Sequence, residues 1–129
     1  MSKKILLCDD EVTILRAAQF KLVRAGYDVR TASDGQEGFE AIQEEMPDLL
    51  ISDYQMPRLD GLGLIRRLRE SEATANLPVI LLTAKGLELS HEELTRELGI
   101  IRVVSKPFSP AELRELVDHA LESEVMSSV

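Results

Sequence analysis

The sequence holds one cysteine, Cys8, so no internal disulfide can form. That suits a reducing compartment. No apolar run approaches the roughly 18 residues of a membrane span. The apolar stretch between Lys4 and Asp9 is too short for a signal peptide, and no small-residue cleavage site follows it. These absences predict a cytoplasmic protein. Basic charge is also scarce: 15 Lys and Arg stand against 23 Asp and Glu, a formal net charge of -8. A basic face does most of the work in nucleic-acid binding, so direct contact with DNA or RNA is not expected, nor is an anionic membrane surface. The chain lacks Gly-x-x-x-x-Gly-Lys, and its one Gly-x-Gly, Gly61-Leu62-Gly63, follows no strand, which excludes a nucleotide loop. His91 and His119 lack metal-ligand spacing. There is no internal repeat, low-complexity stretch or interdomain linker.

What is present suits one soluble globular unit. Apolar residues make up 44% of 129 and charged residues 29%. We expect a single domain over 1–129, with a core of about 3–123 and a frayed tail at 124–129. Lys4 to Cys8 is apolar on both faces and reads as a buried parallel strand. Val12, Leu15, Ala18 and Leu22 then recur at helical spacing up to Gly26. A second strand is predicted over Tyr27 to Thr31. A helix capped by Ser33 or Asp34 follows, with Phe39, Ile42 and Met46 on one face and Pro47 at its end. Asp48 to Asp53 is a third strand, and Gln55 to Gly61 a loop. A helix carries Leu62, Ile65 and Leu68, and Val79 to Leu82 is a fourth strand ending at Thr83. A weaker helix with Leu94 and Leu98 closes at Gly99. Ile100 to Ser105 is a fifth strand. Ser109 and Pro110 open a last helix with the stripe Leu113, Leu116, Val117, Ala120 and Leu121.

This strict β-α alternation predicts an α/β fold, a parallel sheet with helices on both faces and right-handed crossovers. In such a sheet, ligands sit beyond the carboxyl ends of the strands. The first strand ends in Asp9, Asp10 and Glu11, the third in Asp53, the fourth in Thr83 and the fifth in Lys106. Taken singly, Asp9-Asp10 reads as a helix cap and Lys106 as a solvated lysine. Taken together, acids, a hydroxyl and a cation converge on one edge. Oxygen ligands without Cys or His favour a hard ion such as Mg²⁺, for which Mn²⁺ can substitute. A carboxylate facing a metal and a lysine is a reasonable nucleophile toward phosphorus.

The constellation resembles the receiver domains of two-component response regulators. The matching residues are Asp9-Asp10, Asp53-Tyr54-Gln55-Met56-Pro57 running on to Asp60-Gly61, Thr83-Ala84, and Lys106-Pro107-Phe108. The resemblance covers roughly residues 3–123. It implies a doubly wound (βα)5, flavodoxin-like three-layer sandwich with strand order 2-1-3-4-5. It implies that Asp53 accepts a phosphoryl group from a histidine kinase or phosphotransfer protein. Asp10 and Asp53 would then hold Mg²⁺, with Asp9 acting through water and Gln55 through its main-chain carbonyl. Thr83 and Lys106 would contact the phosphoryl group, and small Ala84 would leave it room. Gln55 and Lys85 would tune its lifetime. Such a chain catalyses only its own phosphorylation and dephosphorylation, switches a downstream protein partner, and admits a homodimer through the weak helix, fifth strand and last helix. Val103 stands where receivers often carry a ring that moves with the threonine. Switching is therefore expected to rely on the loop after the fourth strand and the helix beyond it. A small Mg-dependent α/β phosphohydrolase using Asp53 as nucleophile is the competing reading; no substrate pocket for it is evident in the sequence.

Overall fold

The structure, a computed structural model, describes residues 2–84 and 96–127. Lys85, Leu94 and His91, named above, lie outside the described residues, as does the loop after the fourth strand. Five strands, β1 (Lys4–Cys8), β2 (Asp28–Ala32), β3 (Leu49–Asp53), β4 (Val79–Thr83) and β5 (Ile100–Ser105), form one parallel sheet in the order β2-β1-β3-β4-β5. Among the described residues the helices are α1 (Val12–Arg24), α2 (Gly35–Glu44), α3 (Gly61–Arg69) and α4 (Pro110–Ser127). The α/β fold and strand order expected from sequence are both present.

The strands explain the sheet's position. β3 and β4 are buried at every residue, because a central parallel strand is covered on both faces. Alternate residues feed two cores. Leu6, Cys8, Leu50, Val79 and Leu81 face one side, with Ile42 of α2 and Leu64, Ile65 and Leu68 of α3. Ile5, Leu7, Leu49, Ile51, Ile80 and Leu82 face the other, with Leu15 and Leu22 of α1 and Leu113, Val117 and Leu121 of α4. Each large side chain so buried contributes about 1.5–3 kcal/mol relative to exposure. Cys8 is fully buried, and burial, reinforced by the charges of Glu37, Asp34 and Asp9, pushes its thiol up to about 12. It is a core residue, as expected.

Several boundaries differ from the sequence reading. β2 begins one residue later, at Asp28, and includes Ala32. α2 stops at Glu44, so Met46 lies past the helix and is 42% exposed instead of sharing a face with Phe39 and Ile42. Val12 fits the helical spacing, yet it stands at the first residue of α1, beyond the sheet, and is exposed. α4 runs to Ser127, with neither glycine nor proline inside it after Pro110. Of the weak helix, residues 96–98 form a helical turn with Leu98 buried.

Arg69, at the last residue of α3, has partners that leave no trace in sequence patterning. Its guanidinium donates to the carbonyls of Leu98 (2.7 Å), Thr74 (3.1 Å) and Leu77 (2.8 Å). The Thr74 hydroxyl in turn donates to the carbonyl of Leu68. One side chain thus satisfies three main-chain acceptors where α3 meets the entries to β4 and β5. Arg69→Met, similar in bulk but without donors, is expected to lower unfolding free energy by about 2–4 kcal/mol, since the carbonyls lose their partners. Urea denaturation checks this; a loss below about 1 kcal/mol would contradict it.

Candidate functional site

The register of the sheet brings the strand-end residues together. Cys8 pairs with Ser52, so Asp9 and Asp53 lie side by side one residue further on. Thr83 pairs with Ser105, which places Lys106 just past the neighbouring strand end. The Asp9 amide still donates to Ala32 (3.1 Å), and the Lys106 amide to Thr83 (2.7 Å), so both residues remain tied to the sheet. The Lys106-Pro107 peptide is cis.

Asp9 is fully buried. Its Oδ1 accepts the Glu11 amide at 3.0 Å, a local turn that leads the chain into α1. Its Oδ2 lies 2.9 Å from Lys106 Nζ but has no well-aligned hydrogen bond. A buried carboxylate oxygen in that condition is uncommon. Carboxylate oxygens of Asp9, Asp10 and Asp53 all lie within 4.8 Å of one another. Asp10 is exposed, and Asp53 is 6% exposed. Lys106 Nζ also reaches Glu11 Oε1 (3.1 Å) and Asp53 Oδ1 (3.3 Å).

One ammonium group therefore serves three carboxylates. Burial acts to lower the Lys106 pKa, but Asp9 and Glu11 outweigh it and the net shift is upward. Asp53 moves up as well, from an ordinary value near 3.8 to about 6. Burial is the main cause and the Asp9 charge the next, both opposed by Lys106. The two shifts are compatible because the lysine is divided among its neighbours while each acid also feels the other acids. Among the described residues Lys106 is the one cation in contact with these acids, and an all-oxygen donor set suits a hard divalent ion.

Asp53 is fixed from behind. The Tyr54 amide donates to Leu82 (2.7 Å), and the Gly61 amide to Tyr54 (2.9 Å). A Cβ on Gly61 would come within 2.2 Å of the Asp53 carbonyl oxygen, so only glycine fits there. The sequence marked Gly61 as a turn residue; its contact with the Asp53 backbone was not legible. Asp60 caps α3 by accepting from the Gly63 amide at 2.7 Å.

The residues singled out from sequence fall into three groups. Asp9, Asp10 and Asp53 cluster with oxygens within 4.8 Å, and Lys106 pairs with Asp9 and Asp53. Thr83 is buried at the end of β4, and Gln55 and Ala84 are exposed on the loops beyond β3 and β4. Val103 is partly buried on β5, opposite Leu81 in register and packed against the α2–α3 core. Glu11 was seen at a strand end but given no role; its position directly after Asp9-Asp10 was the available signal. A groove of about 510 Å³ opens beside Lys106, with Ile14, Ala17, Pro107 and Phe108 among its walls. The sequence had suggested no such pocket.

Comparison with known proteins agrees with this arrangement. The profile of the response regulator receiver domain family matches residues 5–118. The chain is 43% identical over 117 residues, 91% of its length, to the alkaline phosphatase synthesis transcriptional regulatory protein PhoP of Bacillus subtilis, covering 48% of that protein. It thus spans about half the length of the curated relatives it matches. A putative response regulator from Chloroflexus aurantiacus superposes with a TM-score of 0.84 at 35% identity, covering 95% of this chain and 99% of that one. The chemotaxis protein CheY4 of Vibrio cholerae superposes at 0.83 with 27% identity, covering 92% and 98%.

The raised Asp53 pKa has a consequence for stability. A carboxyl that holds its proton more tightly when folded favours folding at low pH and loses that contribution as pH rises from about 4 through about 6. At neutral pH its charge counts against the metal-free fold. Asp53→Asn is therefore expected to raise the melting temperature by a few degrees near pH 7.5 in chelator, with the gain shrinking toward pH 4. A thermal melt at both pH values checks it; a lower melting temperature for the variant at pH 7.5 would contradict it.

Proposed function

Because the chain belongs to the response regulator receiver domain family, we propose that it is a Mg²⁺-dependent phosphoswitch whose acceptor is Asp53. The observation that carries this reading is the cluster itself: three carboxylates within 4.8 Å, a lysine 3.3 Å from the acceptor, and a fully buried Asp9 whose Oδ2 is 2.9 Å from the same lysine. Asp10, Asp53 and the main-chain carbonyl of Gln55 would hold the ion, with Asp9 acting through water. The ion, Mg²⁺ or Mn²⁺, would supply positive charge that offsets the acids and a phosphoryl oxygen.

An Asp53 oxygen attacks the phosphorus of a phosphohistidine on a histidine kinase or phosphotransfer protein. The P–N bond breaks, its electrons return to the imidazole, and an acyl phosphate forms on Asp53. Lys106 shifts from the free carboxylates to a phosphoryl oxygen, and Thr83 donates a hydrogen bond to another. Ala84 leaves room. Gln55, two positions after the acceptor, and Lys85, two after the threonine, tune its attack by water. With Val103 in place of a ring, movement of Thr83 is passed to the segment after β4 and from there to a protein partner, or to a second copy of the chain. The net charge of -8 supports a protein partner over nucleic acid. A cytoplasmic setting, where the donor's phosphohistidine is made, follows from the same reading.

A phosphohydrolase would need to bring a substrate onto Asp53. The groove at Lys106 does not have Asp53 among its lining residues, and its walls are mainly apolar. That favours a single stoichiometric transfer over turnover.

Incubation with a small phosphodonor and Mg²⁺, read by intact mass, tests the proposal. One phosphate is expected on the wild type, none on Asp53→Asn, and none in the presence of chelator. Equal modification of Asp53→Asn, or none of the wild type with its kinase also supplied, would overturn it. Repeated hydrolysis of an external phosphoester would favour the enzyme.

A further inference from the structure

The loop between β3 and α3 contains a strained turn. The Leu59 amide donates to the Pro57 carbonyl at 2.7 Å, closing a three-residue turn on Arg58. Arg58 has φ of +66°, the one non-glycine positive φ among the described residues. That region is unfavourable for any residue with a Cβ, and such strain persists only where the surroundings impose it. Three-residue turns of positive φ are the rarer and more strained form.

A side-chain fork imposes it here. Arg58 Nε donates to Asp34 Oδ2 at 3.0 Å and Nη2 to Asp34 Oδ1 at 3.1 Å. Bidentate pairing of this kind fixes geometry as well as adding energy. Asp34 is a firm anchor: it is buried and caps α2 by accepting from the Glu37 amide at 2.8 Å. That amide, helped by Arg58 and opposed by burial, holds its carboxyl below the usual range. Next to it, a Cβ on Gly35 would meet the Leu59 carbonyl oxygen at 2.0 Å, so the loop and the start of α2 touch backbone to backbone. The other end of the loop is closed by the Gly61–Tyr54 hydrogen bond, and Met56 is buried in the core. Gln55 is the exposed residue between the ties at Tyr54 and Met56, two positions after Asp53.

We propose that Arg58 is a positioning residue for the cation site: its fork to Asp34 holds the strained turn, and the turn fixes the main chain of Gln55 beside Asp53. The inference rests on the reading above, in which the Gln55 carbonyl completes the Mg²⁺ site. Arg58 acts through the loop. The guanidinium side chain is 59% exposed, so its loss has little effect on global stability. The effect falls on the geometry of the ion's ligands.

Mg²⁺ affinity of the full chain, measured by calorimetry and repeated with Mn²⁺ by electron paramagnetic resonance, tests this alongside melting temperature without metal. Asp34→Asn keeps an oxygen to cap α2 but removes the charge from the fork. Arg58→Ala and Asp34→Asn are each expected to weaken Mg²⁺ binding about tenfold, the scale of supporting residues around metal sites. The double variant should be no weaker than either single one. Arg58→Gly, which adopts the positive φ freely, should lose less than Arg58→Ala. Removing a cation should by simple Coulomb attraction strengthen Mg²⁺ binding, so weakening in Arg58→Ala has the opposite sign from a charge effect. Arg30→Ala, which breaks the exposed pair with Glu44, should leave affinity unchanged. Unchanged affinity in both Arg58→Ala and Asp34→Asn, with the wild type binding and Asp10→Asn not, overturns the positioning role alone. A wild type that takes up no Mg²⁺ overturns the cation site and this inference with it.

Discussion

Three carboxylates and a lysine meet where the strands of a parallel sheet end, and their electrostatic imbalance constrains the rest of the molecule. Adjacent β1 and β3 deliver Asp9 and Asp53 side by side, and β5 delivers Lys106. The central strands β3 and β4 are buried on both faces and carry no lysine or arginine. Lys106 is therefore divided among Asp9, Glu11 and Asp53, and the Asp53 carboxyl is left with a pKa near 6. A group in that state is stabilised by a cation and by an anionic group that takes up the lysine. The site's chemistry and its cost to folding have the same cause.

The fold absorbs that cost with two fully packed cores, one on each face of the sheet. It also fixes the backbone behind the acids so that they cannot move apart. The Asp9 side chain turns the chain into α1, Gly61 allows α3 to begin against the Asp53 carbonyl, and Asp60 caps that helix. The strained turn at Arg58 belongs to the same set of restraints. At Gly61 and at Arg58 a demanding local feature meets a residue from another segment, Asp53 in one case and Asp34 in the other.

Much of this was legible in the sequence, because it rests on periodicity and strand ends. Apolar runs gave the five strands, and the acids, hydroxyl and lysine closing them pointed to one edge. Boundaries were less legible. Met46 matched the helical spacing but follows the end of α2, and Val12 matched it at a first turn that lies beyond the sheet. Pairings between distant residues left no pattern. Arg58 and Asp34 are 24 positions apart, and Arg69 binds main-chain carbonyls, whose partners carry no sequence signature. Glu11 was visible as a residue, but its contact depends on the path of β5 to Lys106, 95 positions later.

The most direct test of this account is a carboxyl carbon NMR titration of Asp53, first in chelator and then in saturating Mg²⁺. The expected result is a midpoint near pH 6 without metal, moving below its ordinary carboxylate range once the ion is bound. A midpoint near 4 in chelator that Mg²⁺ leaves in place would contradict the claim that the cluster is electrostatically incomplete without its cation.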